Sequence, residues 1–123
     1  MLRILLVEDQ EDDAELTVRA LKRGGLQFDW ERVDTESGFR QALARRPDLV
    51  LSDGQLPGFG GLAALVIMRS ERLEIPFILL SGAPWDHRAQ EAIAAGASAF
   101  VCKADLGALM PAVERALANP RPS

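Results

Sequence analysis

The chain has one cysteine, Cys102, and one histidine, His87. A lone cysteine cannot close an internal disulfide, which fits a reducing cytoplasm. One Cys and one His lying apart in the sequence leave zinc-type sites poorly supported. Long apolar runs are also missing, and none approaches the roughly 18 residues of a membrane span. The opening Met1-Leu2-Arg3-Ile4-Leu5-Leu6-Val7-Glu8 lacks a signal-peptide cleavage pattern and meets acids at once, so it reads as a first strand. Basic residues are outnumbered, 14 Lys and Arg against 18 Asp and Glu, for a net charge of -4. That balance argues against direct nucleic-acid binding, and neither nucleic acid nor membrane is an expected partner.

What is present is a 123-residue chain with 48% apolar residues, long enough for one domain with a core that needs no staples. The most telling stretch is Leu49-Val50-Leu51-Ser52-Asp53-Gly54-Gln55-Leu56-Pro57, an apolar run cut off by one carboxylate and followed by a turn-rich loop. So short and apolar a run reads as a strand buried on both faces. Taken alone, Asp53 is equally well a turn residue, since Asp before Gly commonly is. The ends of the other strands decide between the two readings.

Leu2 to Val7 is a strand ending in Glu8-Asp9-Gln10-Glu11-Asp12-Asp13, five acids in six positions. Ala14, Thr17, Val18 and Leu21 recur at helical spacing, and Gly24-Gly25 stops that helix. Gln27 to Val33 alternates, with Phe28 and Trp30 on one face and Asp29 and Glu31 on the other, as in a half-exposed edge strand. Thr35 caps a helix carrying Phe39, Ala42 and Leu43, which Arg45-Arg46-Pro47 ends. After the Asp53 strand, a helix from about Gly61 to Ser70 carries Leu62, Leu65 and Val66. A strand from Ile75 to Leu80 ends in Ser81, and a small-residue helix runs from about Asp86 to Ala95. Ala99 to Cys102 is a short strand ending in Lys103, with Cys102 a small buried residue. The last helix starts near Gly107, with Pro111 in its first turn and Ala104 to Leu106 as a connecting turn. The domain spans 1–119, and 120–123 is a tail or the start of a linker. Five βα units imply a parallel sheet with helices on both faces, an α/β three-layer sandwich of flavodoxin-like strand order 2-1-3-4-5.

In such a sheet every strand's carboxyl end lies on one rim, so Glu8, Asp9, Asp53, Ser81 and Lys103 converge there. Carboxylates crowded together either share a proton or take up a cation. Oxygen-only ligands select a hard cation such as Mg²⁺, or Mn²⁺, over softer metals. A metal beside one exposed carboxylate, with an ammonium and a hydroxyl opposite, suits phosphoryl transfer, with Asp53 as the nucleophile that becomes an aspartyl phosphate. Gly58-Phe59-Gly60-Gly61-Leu62-Ala63 fits a dinucleotide fingerprint, but Asp53 to Pro57 separates it from the strand end. An FMN site after the first strand fails because acids crowd that place.

Four pieces in this order resemble the receiver domains of response regulators: Ile4-Leu5-Leu6-Val7-Glu8-Asp9, Asp53-Gly54-Gln55-Leu56-Pro57 with Gly61, Leu80-Ser81-Gly82, and Phe100-Val101-Cys102-Lys103. The resemblance implies a phosphoacceptor switch of a two-component phosphorelay, and not an enzyme beyond hydrolysis of its own aspartyl phosphate. Asp53 would take phosphate from a sensor histidine kinase or a histidine phosphotransfer protein. Glu8, Asp9, Asp53 and the Gln55 backbone carbonyl would hold Mg²⁺. Lys103 and Ser81 would stabilise the phosphoryl group, and Ser81 and Phe100 would move together as the switch. A homodimer that forms on phosphorylation fits the same resemblance, as does a downstream output domain or protein of unstated kind. Phe100 lacks the hydroxyl that the family often has there, and Ala104 stands where it usually has proline.

Two other functions fit the same residues. A metal-dependent phosphatase would need a second acid two positions after Asp53, where Gln55 stands. A pseudo-receiver would bind a partner without phosphorylation, against which the complete residue set argues. Glu11 to Asp13 read first as acids favoured at a helix start, with Asp12 or Asp13 lending charge to the metal as the sharper alternative. His87, at an exposed helix start, is not expected to act as a phosphodonor. Pro84 and Trp85 lead to no reading of their loop.

Overall fold

Short apolar runs become strands and the periodic segments between them become helices, in strict alternation. The structure, a computed structural model, describes residues 1–54, 59, 61–82 and 87–118, with 61, 87 and 88 in backbone only. Its elements are β1 (Leu2–Val7), α1 (Glu11–Arg23), β2 (Phe28–Val33), α2 (Glu36–Leu43), β3 (Leu49–Asp53), α3 (Gly61–Ser70), β4 (Phe77–Ser81), α4 (His87–Ala94), β5 (Ala99–Cys102), a 3-10 segment (Lys103–Ala108) and α5 (Leu109–Ala118). The expectations for Gln55, Pro84, Trp85 and the 120–123 tail lie outside the described residues.

The five strands are parallel and ordered β2-β1-β3-β4-β5. Strand residues alternate between the two faces. On one face Leu5, Val7, Val50, Phe77 and Leu79 pack with Phe39 of α2, Leu65 and Met68 of α3 and Ala92 of α4. On the other, Ile4, Leu6, Leu49, Leu51, Ile78, Leu80 and Val101 pack with Val18 and Leu21 of α1 and Val113 of α5. Every residue of β3 and β4 is buried, as a central parallel strand between two helical layers requires.

Local chemistry sets the ends. The Thr35 hydroxyl accepts from the Gly38 amide at 3.0 Å and opens α2. Gly96 turns the chain after α4 at φ 109°, and a side chain there would also meet Arg69 Nε at 3.0 Å. Arg69 itself donates to the carbonyls of Leu73 and Gly96, tying the end of α3 to the turn after α4. A Cβ on Gly24 would lie 2.7 Å from Met110 Cγ, so this glycine lets α5 approach the end of α1.

Five expectations need correction. In β2 only Phe28 and Val33 are buried, and Trp30 stays 41% exposed, because an edge strand has a neighbour on one side only. On α3 the core face is Ala64, Leu65, Ile67 and Met68, whereas Leu62 and Val66 face solvent, Val66 at 56% exposure. That helix is apolar all round, so its sequence does not show which side is buried. β4 begins at Phe77, after Pro76, whose ring nitrogen has no proton for a ladder. The segment after Lys103 is a 3-10 helix broken at Asp105, and α5 begins at Leu109. Cys102 is half-buried, its outer flank being the open edge of β5.

Candidate functional site

Side-chain alternation delivers the charged groups to one side of the rim. Ile4, Leu6 and Glu8 continue one row of β1, Leu49, Leu51 and Asp53 one row of β3, and Ala99, Val101 and Lys103 one row of β5. The apolar members of all three rows face the layer made by α1 and α5. The ionisable members therefore meet just beyond that core, beside the first turn of α1.

Glu8 is fixed by its backbone as well as its side chain. Its amide donates to the Val33 carbonyl at 2.9 Å, and its own carbonyl accepts from Arg32 Nη1 at 3.1 Å. Its Oε1 accepts from the Gln10 amide at 3.1 Å, and its Oε2 accepts from Lys103 Nζ at 2.7 Å. The same ammonium donates to Asp53 Oδ2 at 3.1 Å and to Asp13 Oδ2 at 3.0 Å. Glu8, Asp9 and Asp53 each bring a carboxylate oxygen within 4.8 Å of the others, a group able to hold a metal ion. Three carboxylates with no nitrogen or sulfur among them match a hard divalent cation.

Burial is the largest influence on Glu8 and pushes its carboxyl above the ordinary range. The Lys103 and Gln10 hydrogen bonds pull it back, and the Asp53 charge pushes it up again. For Lys103, burial pulls the ammonium down, but its bonds to Glu8, Asp13 and Asp53 outweigh that and hold it above the usual lysine value. Asp53 is more enclosed than its exposed-carboxylate expectation, at 7% exposure, because Lys103 and Glu8 crowd it.

Ser81 ends β4 one residue beyond Leu80, the ladder partner of Asp53. With Gly54, Leu62, Leu79, Ala89, Glu91 and Phe100 it lines a cavity of about 230 Å³. Phe77, Leu79 and Ser81 form one row, so Ser81 and Phe100 lie on the α2–α3–α4 side of the sheet, with the lysine cluster on the other. The structure thus brings Glu8, Asp9, Asp53 and Lys103 together, and pairs Ser81 with Phe100 at a neighbouring cavity.

The sequence reading gave Asp13 no bond to Lys103, and it passed over Arg32. The signal for Asp13 was there: the charged rows face the layer that contains α1, whose first turn carries this acid. Arg32 held no such signal, because its reach to the Glu8 carbonyl depends on a long, flexible side chain.

A family model described as the response regulator receiver domain matches residues 4–114. Among curated proteins, a protein-glutamate methylesterase/protein-glutamine glutaminase from Anaeromyxobacter dehalogenans is 32% identical over 94% of this chain and 33% of its own length. The phosphate regulon transcriptional regulatory protein PhoB of Klebsiella pneumoniae is 30% identical over 82% of this chain and 44% of its own. The chain therefore spans less than half the length of these relatives. Among solved structures, a LuxR-family two-component response regulator from Aurantimonas is 30% identical, with a TM-score of 0.83, over 97% of this chain and 86% of that one. The receiver domain of the putative response regulator NarL from Mycobacterium tuberculosis is 25% identical, with the same TM-score, over 96% of this chain and 97% of the other.

Proposed function

The chain belongs to the response regulator receiver domain family, and from that membership we propose that it is a phosphorelay switch with Asp53 as its phosphoacceptor. The observation that carries this reading is the Lys103 ammonium bonded to Asp53 Oδ2, beside a set of three carboxylates that includes Asp53 itself.

Glu8, Asp9 and Asp53, with the Gln55 backbone carbonyl, are the residues that would hold Mg²⁺ or Mn²⁺. The ion would neutralise charge on the phosphoryl oxygens and let a phosphoryl donor enter an acidic rim. An Asp53 carboxylate oxygen attacks the phosphorus of a phosphohistidine on a sensor kinase or phosphotransfer protein. The P–O bond forms, the P–N bond breaks, and the imidazole leaves with the electron pair. Lys103 shifts a hydrogen bond from the Asp53 carboxylate to a phosphoryl oxygen. The Ser81 hydroxyl turns to donate to another, a bond to a charged acceptor worth roughly 1.5–3 kcal/mol. Phe100 follows Ser81 into the cavity they share. The phosphoryl group carries about 1.5 to 2 negative charges in place of the single charge of the Asp53 carboxylate, and that gain of about one is the bias that a two-state element needs.

On this reading residues 1–119 are the receiver unit, 120–123 are a tail or linker start, and the work is done in the cytoplasm. The switch regulates an attached domain or a separate partner, and a homodimer formed on phosphorylation is one route to it. The chain's own chemistry is limited to taking up phosphate and hydrolysing its aspartyl phosphate.

Incubation with acetyl phosphate and Mg²⁺ followed by intact-mass measurement tests the reading. One added phosphoryl group, absent in Asp53→Asn and absent when the metal is chelated, is the expected result. An unchanged mass favours a binding module that is never phosphorylated. Multiple turnovers on diverse phosphate esters favour a phosphatase.

A further inference from the structure

A lysine ammonium has three N–H donors, and on Lys103 each meets a different carboxylate: Glu8 at 2.7 Å, Asp13 at 3.0 Å and Asp53 at 3.1 Å. Two of the three, Glu8 and Asp53, also belong to the group of oxygens suited to a metal, and Asp13 does not. Asp13 stands in the first turn of α1, where its carbonyl accepts the hydroxyl of the buried Thr17 at 3.0 Å. Its side chain is 41% exposed, so its carboxylate reaches Lys103 from the solvent side of the cluster.

We propose that Asp13 is a positioning residue, the carboxylate that keeps hold of Lys103 when a divalent cation and a phosphoryl group claim its other two partners. The inference rests on the reading of Asp53 as a metal-assisted phosphoacceptor. A cation entering among Glu8, Asp9 and Asp53 must compete with an ammonium already bonded to two of them. By sharing that positive charge, Asp13 weakens its grip on Glu8 and Asp53. It also gives the ammonium a partner on the α1 side that neither event removes. Lys103 then stays within reach of Asp53 instead of swinging into solvent.

The ordinary alternative is that Asp13 serves only as one of three acids favoured by the dipole at the start of α1. Asp12 is the control for that role, being in the same first turn with no bond to Lys103 among the described interactions.

The test is calorimetric titration of MgCl₂ into the metal-free chain. The proteins compared are wild type, Asp13→Asn, Asp12→Asn, Lys103→Met and the Asp13→Asn/Lys103→Met double variant, with a thermal melt of each to establish folding. Asp13→Asn should weaken Mg²⁺ binding about three- to fivefold, the range set by a partly exposed ion pair. Asp12→Asn should leave the affinity within about twofold. In the Lys103→Met background the effect of Asp13→Asn should shrink to within about twofold, because the lysine through which it acts is gone. Lys103→Gln supplies the same cycle if the methionine variant does not fold. An undiminished loss in the lysine-free background means that Asp13 acts on the ion through space, and overturns the proposal. So does an Asp13→Asn protein that binds Mg²⁺ as wild type does, while leaving the phosphoacceptor reading intact. A wild-type chain that binds no Mg²⁺ overturns both.

Discussion

Taking away the Lys103 ammonium leaves Glu8 and Asp53, both buried, facing each other with their shared counter-charge gone. Breaking a fully buried pair costs about 3–5 kcal/mol. This cluster keeps some solvent contact, so Lys103→Met should lower metal-free stability by about 1–3 kcal/mol in urea unfolding. A carboxyl whose value is raised in the fold adds stability below its unfolded value and loses it as the pH climbs through the folded one. Glu8 is such a carboxyl, and Lys103 provides one of the influences that restrain its rise. The lysine, itself raised, stays charged until the solution is strongly alkaline. The gap between wild type and Lys103→Met should therefore be wider at about pH 8 than at about pH 5, and excess Mg²⁺ should narrow it. Ser81→Ala, which removes the hydroxyl proposed to meet the phosphoryl group, should slow labelling by acetyl phosphate about tenfold or more in time-resolved mass spectra. Glu8, Asp9, Asp53 and Lys103 were legible because each ends a strand, and strand ends share a rim whatever the loops do. Asp13 was legible only as an acid near the site, since its bond to Lys103 depends on how the first turn of α1 leans over that rim.

Elements were readable where local chemistry alone decides them. Thr35 opens α2 as its hydroxyl requires, and Thr35→Ala should cost about 1 kcal/mol in thermal unfolding. Facing was harder to read. The apolar residues of α3 surround the helix, so the fold buries one side and leaves Leu62 and Val66 outside. The close approach of α1 and α5 had no sequence signal either. It follows from Gly24 lying under Met110. Gly24→Ala should destabilise the chain by about 1–2 kcal/mol, since Met110 Cγ and Cβ must both move. Met110→Ala, which removes Cγ and Sδ and leaves only the Cβ contact at 3.3 Å, should reduce the cost of the same substitution, a coupling read from a double-mutant cycle.

At the scale of the molecule, strict βα alternation pointed to a parallel sheet, and the strand order expected by likeness to flavodoxin-like sheets is the one observed, while the division of labour between the faces emerged only in three dimensions. One face carries the ionic cluster beneath α1 and α5, and the other carries the Ser81–Phe100 cavity beneath α3 and α4. Amide exchange should be slowest in β3 and β4, which are buried throughout, and faster in the edge strand β2. Phosphorylation by acetyl phosphate and Mg²⁺ should alter exchange around Ser81, Phe100 and Asp53 more than in the body of β3 from Leu49 to Leu51.

Empty space inside a protein is where motion is cheap, and around the Asp53 strand it is distributed unevenly. Every residue of β3 and β4 is buried, whereas beside Phe100 the cavity offers about 230 Å³. On the proposed reading, a message written at Asp53 has room to travel toward that flank, and an attached partner seated against α4 and β5 would be placed to hear it.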